Sequence, residues 1–353
     1  MVRFLVYFLI ANVIGGFFLW LSARALPFDE VSAYVQAADL GHLALWSALF
    51  IVIYIVCHGA RVARWYYLVQ PLGDVAPGRV HRVCAVGFAA ILLLPLRLGE
   101  LVRPYLLARQ TGLPMAGVLA TAVVERVIDG LLITGLLFVT LATYSGDRAT
   151  GFALSAGLVS AAIFVPALSM CMIAYWRRAW ASALLTHTIG RVWPALAAKL
   201  GGMLDAFIGG FKALVQGRAM GRFMTLTALY WTANVVSMWM LATYCFGLEV
   251  GLWEMATVLA ILVIGIMIPA GPAMAGNFEY FVAQGMALFL AIELTPIGTR
   301  VAVFAATVHI LQFVVIVLPG VLLMWLDPES RHLIRLSQEA EKAARELSSE
   351  PVG

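Results

Sequence analysis

Six stretches of the sequence, at roughly 3–21, 42–60, 115–143, 152–176, 223–246 and 299–326, are apolar for the length of a membrane-spanning helix. Such a helix takes about 20 residues to cross about 30 Å of hydrocarbon. Backbone polar groups find no water in lipid, so segments of this kind must be helical. With 63% of its 353 residues hydrophobic and 12% charged, the chain has no polar block large enough for a soluble domain. The expected fold class is an all-α polytopic membrane protein, with one transmembrane domain over 1–326 and a short charged tail over 327–353. The first stretch exceeds the roughly 7–15-residue core of a signal peptide, so it reads as an uncleaved span.

Two further apolar regions, 84–109 and 255–293, are interrupted in mid-course by Pro and Gly. Cations decide how they lie. Segment 61–82 carries Arg61, Arg64, Arg79 and Arg82 against Asp74. Segment 177–222 carries Arg177, Arg178, Arg191, Lys199, Lys212, Arg218 and Arg222 against Asp205. The positive-inside rule puts both in the cytoplasm, and the acidic segments 22–41 and 247–254 outside. This works if 84–109 enters the membrane and returns. The limb from Cys84 to Leu94 spans about 16 Å as helix, half a bilayer. Region 255–293 repeats the design from the other face, with "PAGPAMAG" at its break. The expectation is about six full spans plus two re-entrant broken-helix hairpins in an inverted repeat, with both termini cytoplasmic. In transporters that pattern marks a midplane binding site.

The breaks carry the chemistry. Pro95, Gly99 and Glu100 in the first match Pro272, Gly276 and Glu279 in the second, with Pro269 preceding them. A break frees the first amides of the returning half-helix, which favour an anion. Arg97 and Arg103 flank that point, and Arg suits a phosphate held by two prongs. On the next span Glu125 and Asp129 share a face, with Arg126 about 16 Å in from Met115. An unpaired charge there costs at least about 2.5 kcal/mol, so pairing or water is required. Two accounts fit: an ion-pair network among Glu100, Arg103, Glu125, Arg126 and Asp129 that pins the hairpin, or a hydrated cluster that holds a head group. The second half has no Lys or Arg between Arg222 and Arg300. Glu279 is therefore protonated, paired across the repeats with Arg126, or a cap for the half-helix at Asn277. His309 and Gln312 on the last span, and His58 at the end of the second, read as interhelical hydrogen-bonding groups or as a proton relay, and Asn234 and Gln284 as hydrogen-bonding groups. Segment 178–222, with Trp180, Trp193, Phe207 and Phe211 among its cations, reads as an interfacial amphipathic helix.

Other classes are excluded by what is missing. Cys57, Cys84, Cys171 and Cys245 have no C-x-x-C or Cys/His spacing, so no metal site, cofactor or disulfide framework is indicated. The net charge of +4 belongs to loops, and no basic patch with interleaved aromatics suggests nucleic acid. No phosphate loop is present, so the chain does not hydrolyse ATP. No nucleophile, metal cluster or H-E-x-x-H accompanies the acids, which argues against an enzyme.

The string P-x-R-x-G-E-x-x-R, Pro95 to Arg103, followed by E-R-x-x-D, Glu125 to Asp129, resembles the transmembrane, flippase-like part of lysylphosphatidylglycerol synthases and their stand-alone relatives. "PAMAGNFE" is similar to that family's P-G-G-x-G-x-x-E motif, with Ala273 and Met274 in place of the glycine pair. The resemblance covers roughly 3–326. It implicates Arg97, Glu100, Arg103, Glu125, Arg126, Asp129, Pro272, Gly276 and Glu279. It implies a multi-pass protein of the bacterial or archaeal inner membrane that flips an anionic lipid or lipid-linked head group. The resemblance is to a stand-alone member, expected to lack the soluble aminoacyl-transfer domain of the full-length synthases. The alternatives are a membrane-embedded enzyme using Glu100 or Glu125 as general base, and a non-catalytic partner of lipid-synthesis enzymes. Partners are membrane lipids, phosphate-bearing or lipid-linked, with self-association or lipid-synthesis enzymes as candidate protein partners.

Overall fold

The computed structural model describes residues 2–24, 28–94, 99–143, 150–177, 183, 187, 191, 218–268, 271–292 and 296–326. Among them there are helices and turns and no strand. The expected interfacial segment over 178–217, apart from those three isolated positions, and the tail over 327–353 lie outside the described residues. So do Pro95, Arg97 and Pro269.

Among the described residues eleven α-helices follow in chain order: α1 (Val2–Ala23), α2 (Phe28–Gln36), α3 (Leu40–Val69), α4 (Pro77–Leu93), α5 (Gly99–Thr111), α6 (Met115–Thr143), α7 (Thr150–Trp176), α8 (Arg218–Met240), α9 (Leu252–Gly265), α10 (Asn277–Ala287) and α11 (Ile297–Leu326). Helix α6 has the bounds read from the sequence. Helix α3 does not. It runs nine residues past the expected end at 60, because Leu68 and Val69 still pack in the core and no breaker comes before Pro71. That extension carries Arg61 and Arg64 off the expected cytoplasmic loop and into the helix. Helix α2, in a segment read as loop, is short and buries no residue.

Helices α3 and α8 pack along their length. They run antiparallel. His42 Nε2, at the start of α3, is 3.1 Å from Tyr244 O in the π-turn Leu241–Cys245 that ends α8. At the other end Arg64 Nη1 donates to Thr227 Oγ1 at 3.2 Å. The apolar residues left on the outside form stripes: Leu45, Leu49, Val52 and Val56 on α3, and Ile310, Val314, Leu318 and Leu322 on α11. Large aliphatic side chains repeated every turn on an exposed face fit lipid, not water. Helices α3 and α11 are also long and apolar enough to cross a membrane.

Helices α4 (17 residues), α5 (13), α9 (14) and α10 (11) are each shorter than the roughly 20 residues of a span. They form two antiparallel hairpins. Arg79 Nη1 at the start of α4 donates to Gln110 O near the end of α5 at 3.1 Å. The first limb begins at Pro77, seven residues before the expected Cys84, because Pro77 supplies a helix start. Glycine sets the closeness of the limbs: a Cβ on Gly87 of α4 would lie 2.6 Å from Arg103 Cβ of α5. In the second hairpin a Cβ on Gly285 of α10 would lie 3.0 Å from Val258 Cα of α9.

Several of the remaining contacts come in matched pairs: α11 packs on α4, and α6 on α9; α5 packs on α6, and α10 on α11. The packing of α3 on α6 and on α11 has no such match.

Candidate functional site: a polar cavity between two helix breaks

Arg64 organises the buried charges. Its side chain is 1% exposed and bonds Asp129 with both prongs, Nη1 to Oδ1 at 2.8 Å and Nη2 to Oδ2 at 2.6 Å. Its Nε donates to Glu125 Oε1 at 3.1 Å. Arg103 donates to the other oxygen of Glu125 at 2.5 Å and to Cys84 Sγ at 3.6 Å. Trp231 Nε1 adds a bond to Asp129 Oδ1 at 3.2 Å. Aromatic faces close the rest: Trp65 lies 4.4 Å from the Arg103 guanidinium, and Tyr230 4.7 Å from that of Arg64. The unit ties α3, α5, α6 and α8 together. Removing one partner from such a cluster leaves a buried charge uncompensated, at about 3–5 kcal/mol.

Of the expected network, Arg103 pairs with Glu125 and Arg126 with Glu100, and Arg64, which was not expected in it, joins Glu125 and Asp129. Arg126 projects from the neighbouring face of α6 and meets Glu100, Nη2 to Oε1 at 3.6 Å, with both side chains about a third exposed. Arg64 had been placed in a loop because the apolar run stops at Ala60. The available signal was helical spacing: Arg61, Arg64 and Leu68 continue the face of Cys57.

Beside the cluster lies a cavity of about 550 Å³. Both hairpins line it, through Ile91, Leu92 and Glu100 on one side and Met267, Ala273 and Phe278 on the other. Its polar lining is Arg61, Glu100, Arg126, Asp129, Asn234, His309 and Gln312. Arg61 stacks on Phe88 at 3.9 Å and Tyr230 at 5.6 Å. Among the described residues no carboxylate lies within 4 Å of it, while Arg64, Arg103 and Arg126 each have one. Among the described residues, the cavity therefore carries a cation with no carboxylate in contact with it.

The second break is fixed by backbone. Gly276, at φ 85, precedes α10, and its N–H donates to Glu279 Oε2 at 2.8 Å. The half-helix begins at Asn277, and Glu279 caps it by reaching back to the Gly276 N–H, as one of the three expected roles had it. Asn277 is buried, and its Nδ2 donates to Ile268 O at 3.1 Å, closing the break. Ala273 and Met274, the pair standing where the family motif has glycines, both hold φ 59. A left-handed backbone at an L-residue costs about 1–2 kcal/mol.

Glu279 has a partner that the absence of Lys and Arg concealed. His309 Nδ1 of α11 is 2.6 Å from Glu279 Oε1. Its Nε2 is 2.8 Å from Ala273 O. Gln312 Nε2, one turn on, donates to Asn234 Oδ1 at 3.5 Å. Neither ring nitrogen of His58 has a partner among the described residues, contrary to the expected interhelical bond; its ring lies edge-on to Phe88 at 5.8 Å. Gln284 lines a second, more apolar cavity of about 990 Å³, between α1, α2, α10 and α11, together with Leu19, Tyr34 and Glu279. Cys57 and Cys84 are buried free thiols and Cys245 is half-buried. Among the described residues no group of three His, Cys, Asp or Glu is arranged to hold a metal.

The geometry defines a class: a helical membrane protein with a charged cavity enclosed by two broken hairpins. The chain belongs to the family of the lysylphosphatidylglycerol synthase TM region, whose family model matches residues 8–320. Neither a curated protein nor a solved structure matches it. The family suggests a role connected with membrane lipids.

Proposed function

We propose that this protein moves a lipid with an anionic, phosphate-bearing head group between the leaflets of a bacterial or archaeal cytoplasmic membrane, without consuming ATP itself. The observation that carries the reading is Arg61. It faces the cavity, it is held between aromatic rings, and among the described residues no acid balances it. A fixed cation at membrane depth is costly, and a bound anion offsets that cost. Arg126, exposed to the same cavity and only loosely paired, supplies a second donor, with Glu100 able to release it.

The matched packing supports an inverted repeat of α3–α6 and α8–α11, in which α4–α5 and α9–α10 are re-entrant and the other long helices span. On this reading the joint between α3 and α4 and the start of α8 face the cytoplasm, where Arg79, Arg82, Arg218 and Arg222 lie. The larger apolar cavity suits acyl chains. Arg103, Glu125 and Asp129 then build the cavity wall, and Gly276 and Glu279 shape the break.

Purified protein in liposomes containing fluorescent phospholipid tests this. Exchange between leaflets is the expected result. Formation of a modified lipid would make the protein an enzyme, and neither activity would leave it a non-catalytic partner.

A further inference from the structure

The geometry points to a proton-binding site shared by Glu279 and His309, and to control by that proton of the wall between the two cavities. The inference rests on reading the cavities as a lipid path. Hydrogen-bond bookkeeping is enough to count the proton. Ala273 O is a carbonyl and only accepts, so His309 Nε2, 2.8 Å away, must carry hydrogen. Glu279 Oε1 faces Nδ1 at 2.6 Å, and one of those two atoms must carry hydrogen as well. A neutral imidazole beside an ionised carboxylate has one hydrogen for these two contacts. The pair therefore holds one proton more.

Two further contacts place it on the ring. Gly276 N–H donates to Glu279 Oε2 at 2.8 Å, which favours the carboxylate as acceptor. Phe278 stacks on His309 with centroids 4.3 Å apart and planes 11° apart, which favours a cationic ring. The closed state is imidazolium and carboxylate.

The pair also sits at a boundary. His309 lines the smaller cavity and Glu279 the larger, so the contact between them is part of the partition. It joins α11 to both the break and α10. Facing His309 across the smaller cavity are Tyr54 and Arg61 of α3, Glu100 of α5, Arg126 and Asp129 of α6, and Tyr230 of α8. Facing Glu279 across the larger are Tyr34 of α2, Asp39 and His42 at the start of α3, and Cys245 and Tyr280. The residues of α4 and α9 that line these cavities are apolar. When an N–H bond of the ring breaks, the electron pair stays on nitrogen and the proton passes to water in the cavity. A ring lone pair then faces either Oε1 or Ala273 O, and one contact is lost. The head-group cavity and the acyl cavity are thereby joined.

Two measurements on the full protein in lipid decide this. In the first, the histidines are labelled with nitrogen-15, and the His309 signals are assigned by their loss in His309→Gln. Both ring nitrogens of His309 should be protonated in the wild type at neutral pH. In Glu279→Gln the amide donates to Nδ1, and the ring should turn neutral. A neutral His309 in the wild type would overturn the site without reference to lipid movement. The second follows exchange of fluorescent phospholipid in liposomes against pH. Wild-type exchange should rise with pH by up to about tenfold per unit while the pair still holds its proton, and level off once the proton is lost. Glu279→Gln, whose hydrogen bond needs no such proton, should keep the low-pH rate throughout. Wild-type exchange that ignores pH while His309 titrates would overturn control of the wall. Absence of exchange at every pH would overturn the transport reading, and the nitrogen signals would still decide the proton site.

Discussion

Arg61 and Arg64 sit one turn apart on α3 and meet opposite surroundings. Arg64 is enclosed by Glu125, Asp129, Thr227 and two aromatic rings. Arg61 has rings but, among the described residues, no acid within 4 Å. Arg64→Gln should therefore destabilise the fold by about 3–5 kcal/mol, since it strands two buried carboxylates. Arg61→Gln should cost only the ring stacking, about 1–2 kcal/mol. Unfolding of both variants in mild detergent separates them; equal losses would mean that Arg61 belongs to the structural cluster. The strained pair at the second break gives a prediction of opposite sign. Ala273→Gly and Met274→Gly relieve a positive φ, so each should raise stability by up to about 1 kcal/mol, less whatever packing Met274 gives up. A fall in melting temperature in Ala273→Gly would show that the left-handed backbone is not strained there.

At the scale of elements, the hairpins are the features that set the topology. With Asp74 in the joint before α4, Met115 at the start of α6 and Glu249 before α9, single cysteines should divide cleanly. Asp74→Cys and Met115→Cys should label from the cytoplasmic face, and Glu249→Cys from outside. Labelling of Met115→Cys from the side opposite to Asp74→Cys would make α4–α5 a crossing instead of a return.

Much of this level was legible in the sequence, because Pro and Gly interrupt apolar runs at positions too central for a loop. The end of α3 was not. Hydropathy stops at Ala60, whereas the helix continues on the strength of partners supplied by α6 and α8, which a local window does not see. For Glu279 the cap was legible, but its second partner was not, because that partner is a histidine 30 residues downstream on α11 and neither a Lys nor an Arg. The pairing of Arg103 with Glu125 and of Arg126 with Glu100 follows the network legible in the sequence, whereas the partner of Asp129 is Arg64, in a segment that reads as a loop.

At the scale of the whole molecule, the antiparallel α3–α8 pair forms a spine, and the hairpins pack against it, α4–α5 beside α11 and α9–α10 beside α6. This arrangement brings two breaks, distant in sequence, to one cavity, and leaves one arginine in that cavity unbalanced among the described residues. In the proposed function the Arg61 charge selects the head group. Exchange rates of an anionic and a zwitterionic fluorescent phospholipid, compared in liposomes holding wild type or Arg61→Gln, test it most directly. The account predicts faster exchange of the anionic lipid by the wild type, and loss of that preference by at least about tenfold in Arg61→Gln, the equivalent of about 1.4 kcal/mol of binding. An anionic preference that survives Arg61→Gln in folded protein would contradict it.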